Sequence, residues 1–323
     1  MRAVRLLRIE GPDALTVQAV PVPSSAEDVI IDVRAAGVAF ADLLVTQGKY
    51  QVKQEPPFTP GNEVAGTVRS APPASGFERG QRVAAMARSG AWAEVAAAHP
   101  NVTFAIPDGM SFEQAAALPV NYQTSYFGLM WRGQLKSGET VLVHGAAGGV
   151  GTAAVQIARA AGARVIAVAQ GEHKLAVARD AGAHDCVDAD SDWLTQVRAL
   201  TNGRGVDVVY DPVGGDRFTD SVRSLAPAGR LLVVGFAGGG IPTVAVNRLL
   251  LRNTSVVGVA WPEYARVDPT MPRTVAAGLA QMWETGAINP LVTSRYPLER
   301  AADALRELAD RRAIGKIVLI VRE

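Results

Sequence analysis

The chain has 323 residues, 48% hydrophobic and 20% charged, with a formal net charge of +1. That is enough apolar material for a full core and enough length to favour two domains over one. There is neither the basic excess of a nucleic-acid binder nor an acidic tail, and no uninterrupted apolar stretch approaches the ~18 residues of a membrane span. The opening MRAVRLLRIEGPDALTV alternates charged with apolar residues, unlike a signal peptide. The single cysteine, Cys186, allows no intrachain disulfide, so a cytoplasmic protein is expected.

The first part of the chain reads as short strands divided by turns. VIIDVRAAGVA (29–39), VAGTVRS (64–70) and QRVAAMA (81–87) have strand character, with PPASG (72–76) as a turn and AWAEVAAA (91–98) as a further strand candidate. From SFEQAAALPVNYQTSYFGLMW the pattern becomes helical, with Ser111 as N-cap and Gln114 at the capping-box position. Beyond residue 140 strands and helices alternate. TVLVHG precedes GTAAVQIARAA, RVIAVA (164–169) precedes HKLAVARDAG, and VDVVYD (206–211) precedes a helix across 216–225. RLLVVG (230–235) and NTSVVGVA (253–260) close the series. Apolar runs of four to six residues joined through helices predict an α/β fold, a doubly wound parallel sheet covered on both faces. After Trp261 a helix near 272–285, a strand near 292–296, a helix near 299–311 and the strand KIVLIV (316–321) are expected. This tail is too short for its own core and is expected to return to the first domain.

Residues 144–151, HGAAGGVG, follow the strand residues VLV. The register Ala146-Ala147-Gly148-Gly149-Val150-Gly151 fits G-x-G-x-x-G with alanine in the first glycine position. Gly148 would let the backbone approach a pyrophosphate, and Gly151 would allow close helix–strand packing. The free N–H groups and positive end of the following helix would face the phosphates. A strand before the motif and a helix after it are the context a dinucleotide site requires. The acid that commonly holds the ribose diol of NAD stands at the end of the second strand. Here that strand ends AVAQGEHK, where Ala169 and Gln170 are neutral and Lys174 follows. A lysine on a 2′-phosphate would favour NADP(H) over NAD(H). Glu172 is the counter-candidate for the acidic role, and Lys174 reads equally as a solvated helix residue.

With this loop placed mid-chain after a β-rich domain, the sequence resembles the medium-chain dehydrogenase/reductase superfamily. Within it, the chain looks like the zinc-independent quinone oxidoreductases, the zeta-crystallin-like group. The resemblance rests on GVAFADLLVTQGKY (37–50), FTPGNEVAGTV (58–68), LPVNYQTSYFGL (118–129), VLVHGAAGGVG (141–151) and RAIGKIVL (312–319). It implies a β-rich GroES-like catalytic domain split into residues 1–120 and 261–323 around a Rossmann-type dinucleotide-binding domain at 121–260, with the site in the cleft between them. It also implies cofactor contacts at Thr124 and Asn121, at Gly235 and Phe236, across Val257 to Val259, and at Arg312.

The same resemblance locates what is missing. The zinc-dependent relatives place their first catalytic ligand at the position of Ala39 and their second at Asn62, and neither residue here ligates zinc. A catalytic zinc normally takes three Cys, His or carboxylate ligands. His99, His144, His173 and His184 show no paired spacing, so no zinc is expected. Without a Lewis acid, the expected reaction is hydride delivery to an acceptor already electrophilic, a quinone or activated enone. Tyr50 matches the family's active-site tyrosine as a proton donor. Asp42 matches its aspartate or is a capping carboxylate. Phe40 and Trp261 line an apolar pocket or belong to the core. Ala39 departs from the asparagine usual in zinc-free members. The alternatives are an enoyl-thioester reductase and a nucleotide-binding protein without turnover. Nucleic acid is not an expected partner. A homodimer pairing through NTSVVGVA is implied by resemblance.

Overall fold

A computed structural model describes residues 1–87 and 90–322. The chain begins with β1 (Arg2–Leu6), β2 (Leu15–Ala19), β3 (Val29–Val38), α1 (Phe40–Thr46), β4 (Glu63–Ser70), β5 (Arg82–Met86), β6 (Val95–Ala98), β7 (Thr103–Ala105) and α2 (Phe112–Ala115). It continues through α3 (Gln123–Tyr126), β8 (Thr140–His144), α4 (Gly149–Ala160), β9 (Arg164–Ala169), α5 (Gly171–Asp180), β10 (Asp185–Asp188) and α6 (Trp193–Leu200). There follow β11 (Val206–Asp211), α7 (Phe218–Ser224), β12 (Leu225–Val233), α8 (Asn247–Leu250) and β13 (Ser255–Gly258). The last elements are α9 (Trp261–Val267), α10 (Met271–Glu284), β14 (Val292–Pro297), α11 (Ala301–Ala309) and β15 (Lys316–Ile320).

Contacts divide the chain into a first unit of Met1–Asn121, Pro269–Ala280 and Pro290–Glu323, and a second of Tyr122–Asp268 and Gln281–Asn289. The first is built on a sheet of order β14-β15-β3-β4-β5-β7, with β6 on β3 and a separate β1–β2 pair. Its core gathers Ile31, Val33, Val64, Val83, Trp92 and Ile317. Ala301, Ala304 and Leu305 recur at helical spacing along one face of α11 and pack into that core. The second unit is a six-stranded parallel sheet of order β10-β9-β8-β11-β12-β13. Strands β8, β9 and β11 are almost wholly buried, as unbroken apolar runs require when helices cover both faces. The strand order reverses beside β8, and the carboxyl ends of strands at such a switch point are where these sheets bind ligands.

Several elements differ from the sequence reading. The stretch 91–98 is a strand only from Val95. The helical run from Ser111 is broken into α2, α3 and π-helical turns at Leu118–Tyr122 and Phe127–Arg132, where Pro119 lacks the N–H that a continuous helix needs. The Ser111 cap is present, with Ser111 Oγ accepting the Gln114 N–H and Gln114 Oε1 accepting the Ser111 N–H, both at 3.1 Å. The expected border at 260/261 separates α9 from the second unit, but the contacts keep them together, since the Trp261 and Tyr264 rings lie 5.3 and 4.9 Å from that of Phe127. Residues 281–289 join the same unit, where the Gln156 amide clasps Asn289 by its N–H and its carbonyl, each at 2.9 Å.

Candidate functional site

The glycine loop caps β8 in the second unit. Gly145 turns the chain with φ +59°. Ala146 and Ala147 are buried, and Ala147 packs with Ala169 and Leu175. Gly148 is the N-cap of α4 and donates its N–H to the Gly145 carbonyl at 2.9 Å. The first-turn N–H groups of Gly149, Val150 and Gly151 have no acceptor within the helix.

The two motif glycines do different work. A Cβ on Gly151 would sit 2.1 Å from the Gly145 carbonyl oxygen, whereas one on Gly148 would meet only that oxygen, at 3.4 Å. Gly151 therefore permits the strand–helix contact, and Gly148 keeps open space in front of the helix end. Free N–H groups with open space in front of them are what binding of a pyrophosphate at a helix end calls for. The helix end is anchored from behind. The Ser125 hydroxyl donates to the Val150 carbonyl at 3.0 Å and bonds the Tyr210 hydroxyl at 2.9 Å. Burial holds the Tyr210 phenol above its ordinary pKa.

At the end of β9, Gln170 is exposed and its Nε2 donates to Asp190 Oδ2 at 2.9 Å. Lys174 is half-buried on α5, while Glu172 is exposed and faces Arg179 at 3.6 Å. Sequence reasoning missed Asp190. Its signal was the acidic run DADSD (188–192) at the end of the next strand.

The other candidates of this unit lie on neighbouring strand ends. Thr124 is half-buried on α3. Gly235 and Phe236 follow β12, and the Phe236 ring stands so near Gly214 that a Cβ there would be 2.9 Å away. Val257 pairs with Leu232, and Val259 is buried beside Gly128. Trp261 is only 1% exposed and belongs to the aromatic packing around Phe127. Asn121 and Arg312 fall in the first unit. Asn121 is buried, and Arg312 is exposed and paired with Asp310 at 2.9 Å.

The first unit carries the remaining candidates. Ala39 is the N-cap of α1, and its N–H donates to Asp42 Oδ2 at 2.8 Å. The other carboxylate oxygen of Asp42 accepts from Asn62 Nδ2 at 3.1 Å. Burial pushes the Asp42 carboxyl up to about 7, with the Ala39 N–H opposing and Glu63 adding. Glu63 and Lys316 form a buried ion pair next to it. The Val120 N–H donates to the other Glu63 oxygen at 3.0 Å. Tyr50 is half-buried after α1, and Phe40 packs against the core of its unit.

No group of three or more His, Cys, Asp or Glu side chains converges on a metal geometry among the described residues. Three histidines have structural partners. His99 Nδ1 accepts the Asn101 N–H, and His184 Nδ1 accepts the Val165 N–H. His144 Nε2 lies 2.9 Å from Ser221 Oγ, and its ring meets Trp193 edge-on at 4.9 Å. No described helix is long and apolar enough to cross a membrane.

Comparison with known proteins adds three findings. Residues 25–108 match the alcohol dehydrogenase GroES-like domain, and residues 149–276 match the zinc-binding dehydrogenase family. The chain is 38% identical to quinone oxidoreductase-like protein 2 of Rattus norvegicus, over 95% of this chain and 89% of the relative. Two solved structures are similar throughout. A probable oxidoreductase from Mycobacterium abscessus has a TM-score of 0.92 and 44% identity, covering 99% of each chain. The quinone oxidoreductase of Thermus thermophilus, solved also in complex with NADPH, has a TM-score of 0.86 and 35% identity, covering 99% of this chain and all of the other.

Proposed function

The chain belongs to the medium-chain dehydrogenase/reductase superfamily, and from that premise we propose that it reduces a quinone or activated enone, without zinc, using hydride supplied by bound NADPH. The observation that carries the dinucleotide half of this reading is the pair of unlike glycines in the loop. Gly148 leaves the helix end open while Gly151 lets the helix close onto β8.

In this reading the first-turn N–H groups of α4 hold the pyrophosphate, and Ala146, Ala147, Gly148, Gly149 and Val150 shape its cradle. Gln170, Lys174 and Arg312 serve the adenosine end. Thr124, Asn121, Gly235, Phe236, Val257 and Val259 serve the nicotinamide end. Tyr50 donates a proton to the oxyanion that develops on the acceptor. Asp42 orients Asn62 through its carboxylate, and Phe40 contributes an apolar wall. Zinc-free chemistry is supported by the side chains at the two positions where the zinc-dependent relatives place ligands: the methyl of Ala39 and the amide of Asn62 give no thiolate, imidazole or carboxylate.

A homodimer in the cytoplasm completes the reading. β13 is an edge strand, and Ile241, Val246, Leu250 and Leu251 are largely exposed on the same unit. An open strand edge with apolar neighbours suits pairing with a second copy. The function is tested by titrating the protein with NADPH and then comparing 1,4-benzoquinone with an enoyl thioester as acceptor. Faster turnover of the quinone is expected. Faster turnover of the thioester identifies an enoyl reductase, and tight NADPH binding with neither acceptor reduced identifies a binding protein.

A further inference from the structure

We propose that Asp190, held by Gln170, is a specificity-determining residue that lets the cofactor site accept the free ribose diol of NADH as well as NADPH. This assignment rests on the dinucleotide reading of the loop.

The two strand ends concerned are tied together. β10 runs parallel to β9 with Asp188 opposite Ala169, and the Ala189 N–H donates to the Ala169 carbonyl at 2.9 Å. One residue further, the Gln170 amide donates to Asp190 Oδ2 at 2.9 Å. The Asp190 N–H in turn donates to Asp188 Oδ1 at 3.0 Å. Backbone and side chain thus hold the Asp190 carboxylate beside the residue that follows β9.

Asp190 itself follows β10, the third strand, but the Gln170 bond brings its carboxylate to the end of the second strand, β9, where a carboxylate accepts from the adenosine ribose hydroxyls and disfavours a 2′-phosphate. β9 itself ends on Ala169 and offers no acid. Glu172, the nearest carboxylate along the chain, faces Arg179 instead. A carboxylate has about four acceptor sites, so the Gln170 bond leaves capacity for a ribose hydroxyl. Lys174 on α5 carries the opposite charge, which suits a 2′-phosphate. The site therefore holds one group favouring each cofactor, and Asp190 moves the balance toward NADH.

The test is a calorimetric titration of the full chain, wild type and Asp190→Asn, with NADH, NADPH, 5′-AMP and adenosine 2′,5′-bisphosphate. The last two ligands isolate the ribose end. Thermal midpoints check that the exposed substitution leaves the fold intact. The wild type is expected to bind both dinucleotides. In Asp190→Asn the ratio of NADPH to NADH affinity is expected to rise about tenfold, the scale of one charge-assisted hydrogen bond. The bisphosphate should gain on 5′-AMP in the same sense. Gln170→Ala should move both ratios in that direction by a smaller factor, through loss of the tether. Ratios unmoved within twofold in Asp190→Asn would overturn the assignment while leaving the cofactor reading intact. A wild type that binds neither dinucleotide would overturn both.

Discussion

Glu63 on β4 and Lys316 on β15 form an ion pair across β3, with side chains 1% and 2% exposed. The strand between them makes this possible by placing a glycine, Gly37, beside the pair. A Cβ on Gly37 would lie 2.5 Å from the Glu63 carboxyl. Burial raises the Glu63 pKa and the Lys316 charge opposes it. Removing one partner of such a pair leaves a buried charge and costs about 3–5 kcal/mol. Lys316→Met should therefore lower the unfolding free energy, read by urea denaturation, by that order, and the double variant Glu63→Gln/Lys316→Met should recover most of the loss. Equal losses in both would show that the lysine contributes packing and not charge.

The two glycines of the loop should respond differently to the same added methyl. Gly151→Ala drives a Cβ into the Gly145 carbonyl and should destabilise the fold by roughly 1–3 kcal/mol or more. Gly148 has φ −80°, which an alanine accepts. Gly148→Ala should keep its thermal midpoint and weaken NADPH binding at least tenfold, as read by calorimetry. Unweakened binding would move the phosphates away from this helix end.

Two buried groups should give opposite pH slopes. Burial lowers His144 from 6.5 to about 4, with Asp211 opposing and Arg217 adding. The folded state then binds this proton less well than the unfolded chain, so stability is full above pH 6.5 and falls toward pH 4. Converted directly, the shift is worth about 3 kcal/mol. Asp42 is raised from 3.8 to about 7, so its neutral form is preferred in the fold. Its contribution is full below pH 3.8 and is lost as pH rises through 7. The windows overlap and partly cancel in the wild type. Asp42→Asn keeps an acceptor for the Ala39 N–H. Urea midpoints from pH 4 to 7 should rise more steeply in this variant than in the parent. Parallel curves would show that Asp42 is already ionised in the fold.

Tyr50→Phe removes a hydroxyl and leaves the ring. Turnover with a quinone should fall while NADPH affinity stays unchanged. Unchanged turnover would assign the proton to solvent.

How legible these features were depended on how local they are. The apolar runs of β8, β9 and β11 and the loop between β8 and α4 were readable because period, turn and motif lie within a few residues. The Ser111 cap was readable for the same reason. The β1–β2 pair was missed because its strands are only partly buried and carry charges, which reads as surface chain. α1 lies inside GVAFADLL and spans only seven residues, too few for the helical spacing of Phe40, Leu43 and Leu44 to stand out as a period. The Glu63–Lys316 pair joins residues 253 positions apart. Its only trace in the sequence is a charge inside each of two apolar runs, GNEVAG and GKIVLI. Trp261 shows the limit in the other direction, since an aromatic beside a motif reads as a pocket wall while its ring packs on Phe127.

In the proposed reaction the chain passes hydride from NADPH to an electrophilic acceptor with no metal. The most direct measurement is the loss of NADPH absorbance with 1,4-benzoquinone, before and after exhaustive dialysis against a chelator. Turnover is expected to be the same in both. Turnover that disappears on dialysis and returns with added zinc would contradict zinc-free chemistry.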